Sequence, residues 1–361
     1  MTNRRHFLAG LAAASLAPVR GWASVGAPDY LAAALFPDGS YRLAGLDVNG
    51  EILFTLPLPA RGHAAAAHPH RAQAVAFARR PGTFAVVIDC TTGRETARLE
   101  APKNRHFYGH GVFSANGNKL FTTENNFEAG EGVIGIWDSQ SYTRLGEFPS
   151  GGVGPHDMRL MPDGQTLVVA NGGIETHPDT GRSKLNLPVM RSRLSYLNLS
   201  GRVLEQVELP RAMHKNSIRH LCVRRDGLVG FAMQWQGETS QHPPLLGLHR
   251  QGDAPHLLSA PVADHSTLQG YAGSIAFAGD GQTVAITCPR GNALHRFTVD
   301  DGQLSGVFPL EDVCGLGPGP GGFVYTTGTG LVGRLRNGKA KTFAQPRCQW
   351  DNHLIPIRGP A

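Results

Sequence analysis

The sequence predicts an all-β protein: a seven-bladed β-propeller with four-stranded blades, its ring closed by a C-terminal innermost strand joined to three N-terminal strands. Three observations predict it. Short runs alternate apolar and polar residues with period two and are separated by turns of the type PDG, ANG and GDG, the pattern of β-hairpins. A unit of four such runs recurs roughly every 40–50 residues, the length of a propeller blade. Glycine (46) and proline (25) are plentiful, which favours short strands and turns over long helices.

The units follow one another along the chain. HGVFSANGNKLFTT leads through a loop to GVIGIWD and TRLGEFP. HDMRLMPDGQTLVVA leads through a longer loop to RLSYLNL and VLEQVELP. First strands begin near His63, His110, His156, His220, Gly273 and Cys314, and a seventh opens at His353 in WDNHLIPI. Nothing follows that last strand to complete a blade. The N-terminal runs LAAALF, YRLAGLDV and EILFTLPL are three strands without a first. Sharing one blade between the ends pairs strand edges that would otherwise stay open. Two polar insertions, Asn171 to Arg193 and Gln234 to Pro244, lie between second and third strands; ordered loops of this length are more often functional than decorative. No linker or composition shift divides the chain, so residues 24–361 are expected to form one propeller domain.

The first residues form a targeting segment, expected to span 1–23. Arg4 and Arg5 make a twin-arginine pair, followed by Phe7, Leu8 and an apolar stretch to Val19. That stretch falls short of the roughly 20 residues a spanning helix needs, and no other segment approaches it. The expected location is therefore the periplasm, with no membrane span. Without the leader's three arginines, 31 basic side chains face 28 acidic ones, a net charge of +3 with no basic run. This excludes a nucleic-acid footprint. The five cysteines, Cys90, Cys222, Cys288, Cys314 and Cys348, leave at least one unpaired, and no CxxC or CxxCH occurs. No nucleotide cofactor is expected, because P-loop and dinucleotide motifs are absent, as are GxSxG and HExxH.

The histidines carry the functional signal. In a propeller the first strand of each blade lines the central channel. His63, His110, His156, His220 and His353 begin, or nearly begin, such strands, and Cys314 holds the same place in another blade. These six are the candidate metal ligands, because nitrogen and sulfur donors from separate blades suit iron, copper or zinc. The ends of second strands and the long loops add Glu124, Asn171, Glu175, His177, Gln234 and Arg290 at the same rim, as ligand-binding residues or acceptors that orient the imidazoles. His106 is expected four residues outside the ring, in a connecting loop. The competing reading is structural: Gly62-His63, Gly109-His110 and Trp137-Asp138 resemble the GH and WD of WD repeats, although only one unit carries WD.

The segments RRPGTF, RHFYGHGVF, GPHDMRLMPDGQTLVVANGGIETHPDTGR, KLNL, SIRHL, QWQG and DVCG resemble one family, a domain-of-unknown-function group of twin-arginine-exported bacterial proteins. The resemblance covers nearly all of the chain after the leader and includes His110, His156, Asn171, Glu175, His177, His220 and Cys314. Where the family motif often reads GPHE, this chain reads GPHD, so Asp157 keeps the acid with a shorter reach. Members are typically encoded beside imelysin-type iron-regulated proteins and a di-haem oxidoreductase-like protein. The resemblance thus implies a role in periplasmic iron or copper handling, with proteins of those two kinds as partners of a monomer. It implies no catalytic residue. The expected function is a periplasmic propeller whose His-rich funnel binds iron or copper. The rivals are an interaction scaffold with structural histidines and a propeller enzyme of lactonase or quinoprotein type, which would favour oxygen ligands and calcium.

Overall fold

The computed structural model describes residues 21–79, 83–181 and 183–357. The twin-arginine pair and its apolar stretch lie outside the described residues. Seven antiparallel sheets form a closed ring, as the repeat predicts. Six blades run in simple order from axis to rim: blade 1 from Gly62–Ala67 to Arg94–Glu100, blade 2 from Arg105–Phe113 to Arg144–Pro149, and blade 3 from Pro155–Leu160 to Val203–Glu208. Blade 4 runs from Asn216–Val223 to His256–Leu258, blade 5 from Ser274–Phe277 to Leu304–Pro309, and blade 6 from Val313–Gly319 to Lys339–Ala344. Blade 7 joins the two ends. Its Tyr30–Leu35 strand pairs on one side with Tyr41–Leu46 and on the other with the C-terminal pieces Gln349–Trp350 and Ile355–Pro356.

Each sheet buries both faces against its neighbours. Ala66, Val75, Phe77 and Phe107, Phe113, Trp137 close the space between blades 1 and 2. Phe121, Ile134 and Met158, Leu167, Val169 do the same between blades 2 and 3. Burying each large apolar side chain contributes about 1.5–3 kcal/mol. The outermost strands read otherwise: Lys339–Ala344 is exposed for most of its length, with lysines that discourage pairing at the open edge. The hairpin turns follow from their chemistry. In the PDG turn, Asp163 Oδ1 accepts from the backbone N–H of Gln165 and Thr166, and Gly164 takes φ 66°, a conformation that costs glycine least.

Three details differ from the sequence expectation. The stretch containing His106 is strand, not loop: Arg105–Phe113 carries both His106 and His110. The seventh innermost strand is broken, and His353 sits between its two pieces. A short helix, Val262–Ser266, links blades 4 and 5, where the sequence offered no helical period.

Candidate metal centre

A regular strand sends successive side chains to opposite faces of its sheet. In this ring both faces belong to neighbouring blades, so an unbroken innermost strand directs its side chains sideways. Turning one toward the axis requires a break in register, and the innermost strands carry such breaks at the same level. Pairing shifts between Gly62 and Ala65, between Phe107 and Gly111, between Pro155 and Asp157, and between Ile218 and His220. Bulges re-aim side chains in this way, and each of these four carries or borders an axial histidine. The gap between Trp350 and Ile355 does the same for His353. Gly109 shows how tight the arrangement is. Its φ of 101° favours glycine, and a Cβ there would lie 2.5 Å from the His63 ring.

The five imidazoles meet on the axis. Ring centroids are 4.6 Å apart for His63 and His353, 4.8 Å for His110 and His353, and 5.1 Å for His63 and His110. His156 and His220 are 4.7 Å apart, and His220 lies 4.9 Å from His353. Two triads have ligand atoms within 4.8 Å of one another: His63–His110–His353 and His110–His156–His220. His110 belongs to both. A tetrahedral ion with bonds of about 2.1 Å separates its ligand nitrogens by about 3.4 Å. The Nε2 atoms of His353 and His63 already stand 3.4 Å apart.

Four ring nitrogens here are buried with no hydrogen-bond partner in the protein: His63 Nδ1, His110 Nε2, His156 Nδ1 and His220 Nδ1. Leaving one buried polar atom unsatisfied costs about 1–3 kcal/mol. Burial also disfavours protonation of four of the imidazoles. It lowers His63 to about 4 and pushes His156, His220 and His353 well below the ordinary histidine value, with the neighbouring imidazoles adding to the effect. The neutral ring is the form that donates to a metal.

Two aspartates orient the ring from behind. His110 Nδ1 lies 3.1 Å from Asp157 Oδ1, and His63 Nδ1 lies 3.8 Å from Asp351 Oδ1. Each aspartate comes from the neighbouring blade and is itself pinned. Asp157 accepts from Arg159 at 3.2 Å and from the Leu221 N–H at 2.9 Å. Asp351 accepts from Arg61 at 2.7 Å and Arg79 at 3.0 Å. Burial opposes the ionisation of both, yet the surrounding cations and imidazoles outweigh it and hold both carboxyls below the usual range. Sequence reading noted Asp157 only as a motif departure and missed Asp351. The signal was present in HD and in DNH, where an acid sits beside an axial histidine.

The other candidates have different work. Cys314 is buried, directs its thiol to the carbonyls of Asp312 at 3.1 Å and Trp350 at 3.7 Å, and belongs to neither triad. All five cysteines are free. Glu124 accepts a forked pair of bonds from Arg144 and one from Thr122, which in turn accepts from Trp137 Nε1, so it braces the interior of blade 2. Asn171 bonds Ser150 and Ser195. Glu175 takes the Asn186 side chain on its backbone N–H, and His177 stands 3.7 Å from Glu128 and 3.6 Å from Asp179. Gln234 donates to the Ala272 carbonyl, and Arg290 lies over the Tyr271 ring at 4.4 Å.

The ring is reached from the face opposite these loops. A cavity of about 390 Å³ runs along the axis and is lined by His220, His353, Asp157 and Arg159 together with apolar wall residues. No described helix is long and apolar enough to cross a membrane.

Known proteins place this architecture. No curated protein matches the chain. Among solved structures, hydrazine synthase of Kuenenia stuttgartiensis is similar over 84% of this chain and 88% of its own, at 14% identity and a TM-score of 0.59. The Cps50 (Swd1) β-propeller domain of Myceliophteria thermophila is similar over 87% of this chain and 93% of its own, at 11% identity and a TM-score of 0.58. At such identities the likeness is one of fold. A family model matches residues 56–357, from blade 7 around the ring to the closing strand, and the chain thereby belongs to the family described as protein of unknown function (DUF1513).

Proposed function

We propose that this protein is a periplasmic metal-binding propeller that holds an iron or copper ion among its axial histidines and serves metal handling. The observation that carries the reading is the convergence of imidazoles from five blades on the axis, with His110 Nε2, His156 Nδ1 and His220 Nδ1 buried and without a hydrogen-bond partner in the protein. A ring built only to tie blades together would pair those nitrogens with backbone or side-chain groups. Nitrogen donors favour borderline transition metals over calcium, and the two nearby carboxylates are occupied by arginines. The chain's own residues would hold the ion through His110 and the two triads that share it. Asp157 and Asp351 would fix the tautomers of His110 and His63. Such an ion would be bound, delivered or cycled between oxidation states. Delivery to imelysin-type or di-haem proteins follows from the family resemblance.

The test is elemental analysis of protein purified from the periplasm without a polyhistidine tag, followed by calorimetric titration with Cu²⁺, Fe²⁺ and Zn²⁺. We expect a stoichiometric transition metal bound tighter than micromolar. Absence of binding at micromolar concentration overturns the reading and leaves the interaction scaffold in its place.

A further inference from the structure

The axial cavity has a chemistry of its own. Its far mouth is framed by the turns between first and second strands, at Pro69, Ala115 and Pro162, all exposed. Its walls are apolar: Ala67, Val112, Leu160, Val223, Phe277 and Ile357 come from six blades. Its inner end is polar, where His220 and His353 present their rings beside Asp157 and Arg159. The volume of about 390 Å³ falls within the range of small-molecule sites, which pair apolar walls with a few convergent polar groups. The charges at that end cancel. Arg159 Nη2 lies 3.2 Å from Asp157 Oδ2 and its Nε donates to the Leu221 carbonyl at 3.1 Å, so the guanidinium already has its counter-ion. An anion would enter apolar walls without a cation to meet it, and desolvating it would cost more than the walls return. A neutral molecule loses nothing comparable and gains from apolar burial.

We propose that this cavity is a binding site for a small, uncharged, largely apolar molecule, inserted with its polar end against His220, His353 and Asp157. The site stands whether or not the ring holds an ion. Where it does, the bound molecule lies next to the metal.

N-phenylnaphthylamine, a neutral fluorophore with an apolar body and one N–H donor, is the probe. Metal-free protein should bind it saturably, one per chain. Anilinonaphthalene sulfonate, nearly the same molecule carrying an anion, should bind at least about 10-fold more weakly. Ala67→Phe and Val112→Phe narrow the channel from different blades, and each should weaken the neutral probe at least about 10-fold while melting like wild type. A third measurement needs no variant. Cys222 lines the cavity and is the least buried of the five thiols, so bound probe should slow its alkylation by N-ethylmaleimide. In protein loaded with Cu²⁺, the probe's emission should be quenched by the neighbouring paramagnetic ion. No saturable binding, folded variants that bind like wild type, unprotected Cys222, or equal or tighter binding of the sulfonate each overturns the proposal. Copper that binds without quenching overturns the placement of the polar end. A probe that binds to protein which takes up no metal leaves this site standing and removes only the metal reading.

Discussion

Two populations of buried histidine divide the molecule. His249 and His68, at 1% and 4% exposure, are as buried as the axial His110, His220 and His353, and both ring nitrogens of each are used. His249 Nδ1 meets the Tyr196 hydroxyl at 2.7 Å and its Nε2 the Asp253 carbonyl at 2.9 Å. His68 Nε2 meets the Gly117 carbonyl of the next blade, and its Nδ1 accepts from the N–H of His70 and of Arg71. These are histidines used as struts. On the axis, His110 gives one nitrogen to Asp157 and leaves the other without a protein partner, toward its neighbours. His265 and His295 also leave a nitrogen unpartnered, but among the described residues no third donor joins them. Burial therefore does not separate structural from ligand-ready histidine. The convergence of several unsatisfied nitrogens on one point does.

That contrast can be broken or sharpened by experiment. The harshest intervention removes residues 350–361, which takes away buried Trp350, the closing strand and His353 together. Exposing a sheet edge in blade 7 should abolish cooperative thermal unfolding and cause aggregation. A truncated protein with the wild-type melting curve would contradict closure by that strand.

Next in size is a pair of substitutions, one in each population. His110→Ala removes the imidazole shared by both triads and should lower Cu²⁺ affinity by at least about 10-fold in calorimetry. His249→Ala should leave that affinity unchanged and destabilise the fold by about 1–3 kcal/mol in denaturant titration, because the Tyr196 hydroxyl and the Asp253 carbonyl lose their partner. The contrast collapses if the two variants behave alike. His106→Ala belongs with the struts. His106 is buried against Phe127 and Tyr108, so its loss should reduce stability and spare metal binding.

Asp157→Asn keeps the volume and removes the charge that orients His110. Metal affinity should fall about 10–100-fold, the range for groups that act through a ligand. An unchanged affinity with unchanged fold would deny Asp157 that role.

Acid should expose the histidines before the aspartates. His63 ionises near 4 in the folded protein, below the value near 6.5 of an unfolded chain. The unfolded state therefore takes up protons first as pH falls. This contribution to stability is whole above about pH 6.5 and is lost as pH drops toward about 4. Asp157 and Asp351 are also shifted down, so their contribution persists to lower pH and is lost only below the ordinary carboxylate value. Melting temperature followed from pH 7 to pH 3 should show the earlier decline in metal-free protein, and saturating copper should move it to lower pH. A copper-independent profile would mean that the ion does not engage these rings.

The smallest effect is expected at Cys314. Its thiol faces two carbonyls and burial raises its pKa, so it is a poor thiolate ligand. Cys314→Ser should change copper affinity by less than about 2-fold, well under a ligand's loss. A ligand-sized loss would place sulfur in the site.

The sequence by itself determined the architecture. Period-two alternation and the PDG-type turns specify hairpins locally, and a blade-length repeat leaves few ways to bury both faces of each sheet except a ring. Three N-terminal strands without a first and one C-terminal strand without the rest were legible as arithmetic, and the structure joins Tyr30–Leu35 to Gln349–Trp350 and Ile355–Pro356 accordingly. The axial level of His63, His110, His156, His220 and His353 was legible too, because each starts or interrupts a first strand. What only the tertiary structure decided is where each side chain points. Cys314 occupies the histidine position in blade 6, and its strand is also irregular there, yet its thiol turns to backbone carbonyls. Glu124 and Asn171 reach the right rim in sequence and are consumed inside their own blades. Asp351 is 288 residues away from His63 along the chain yet orients it across the ring closure. A bulge changes the direction of a side chain without leaving a mark in residue periodicity, and the partners that then satisfy or strand its polar atoms come from other blades.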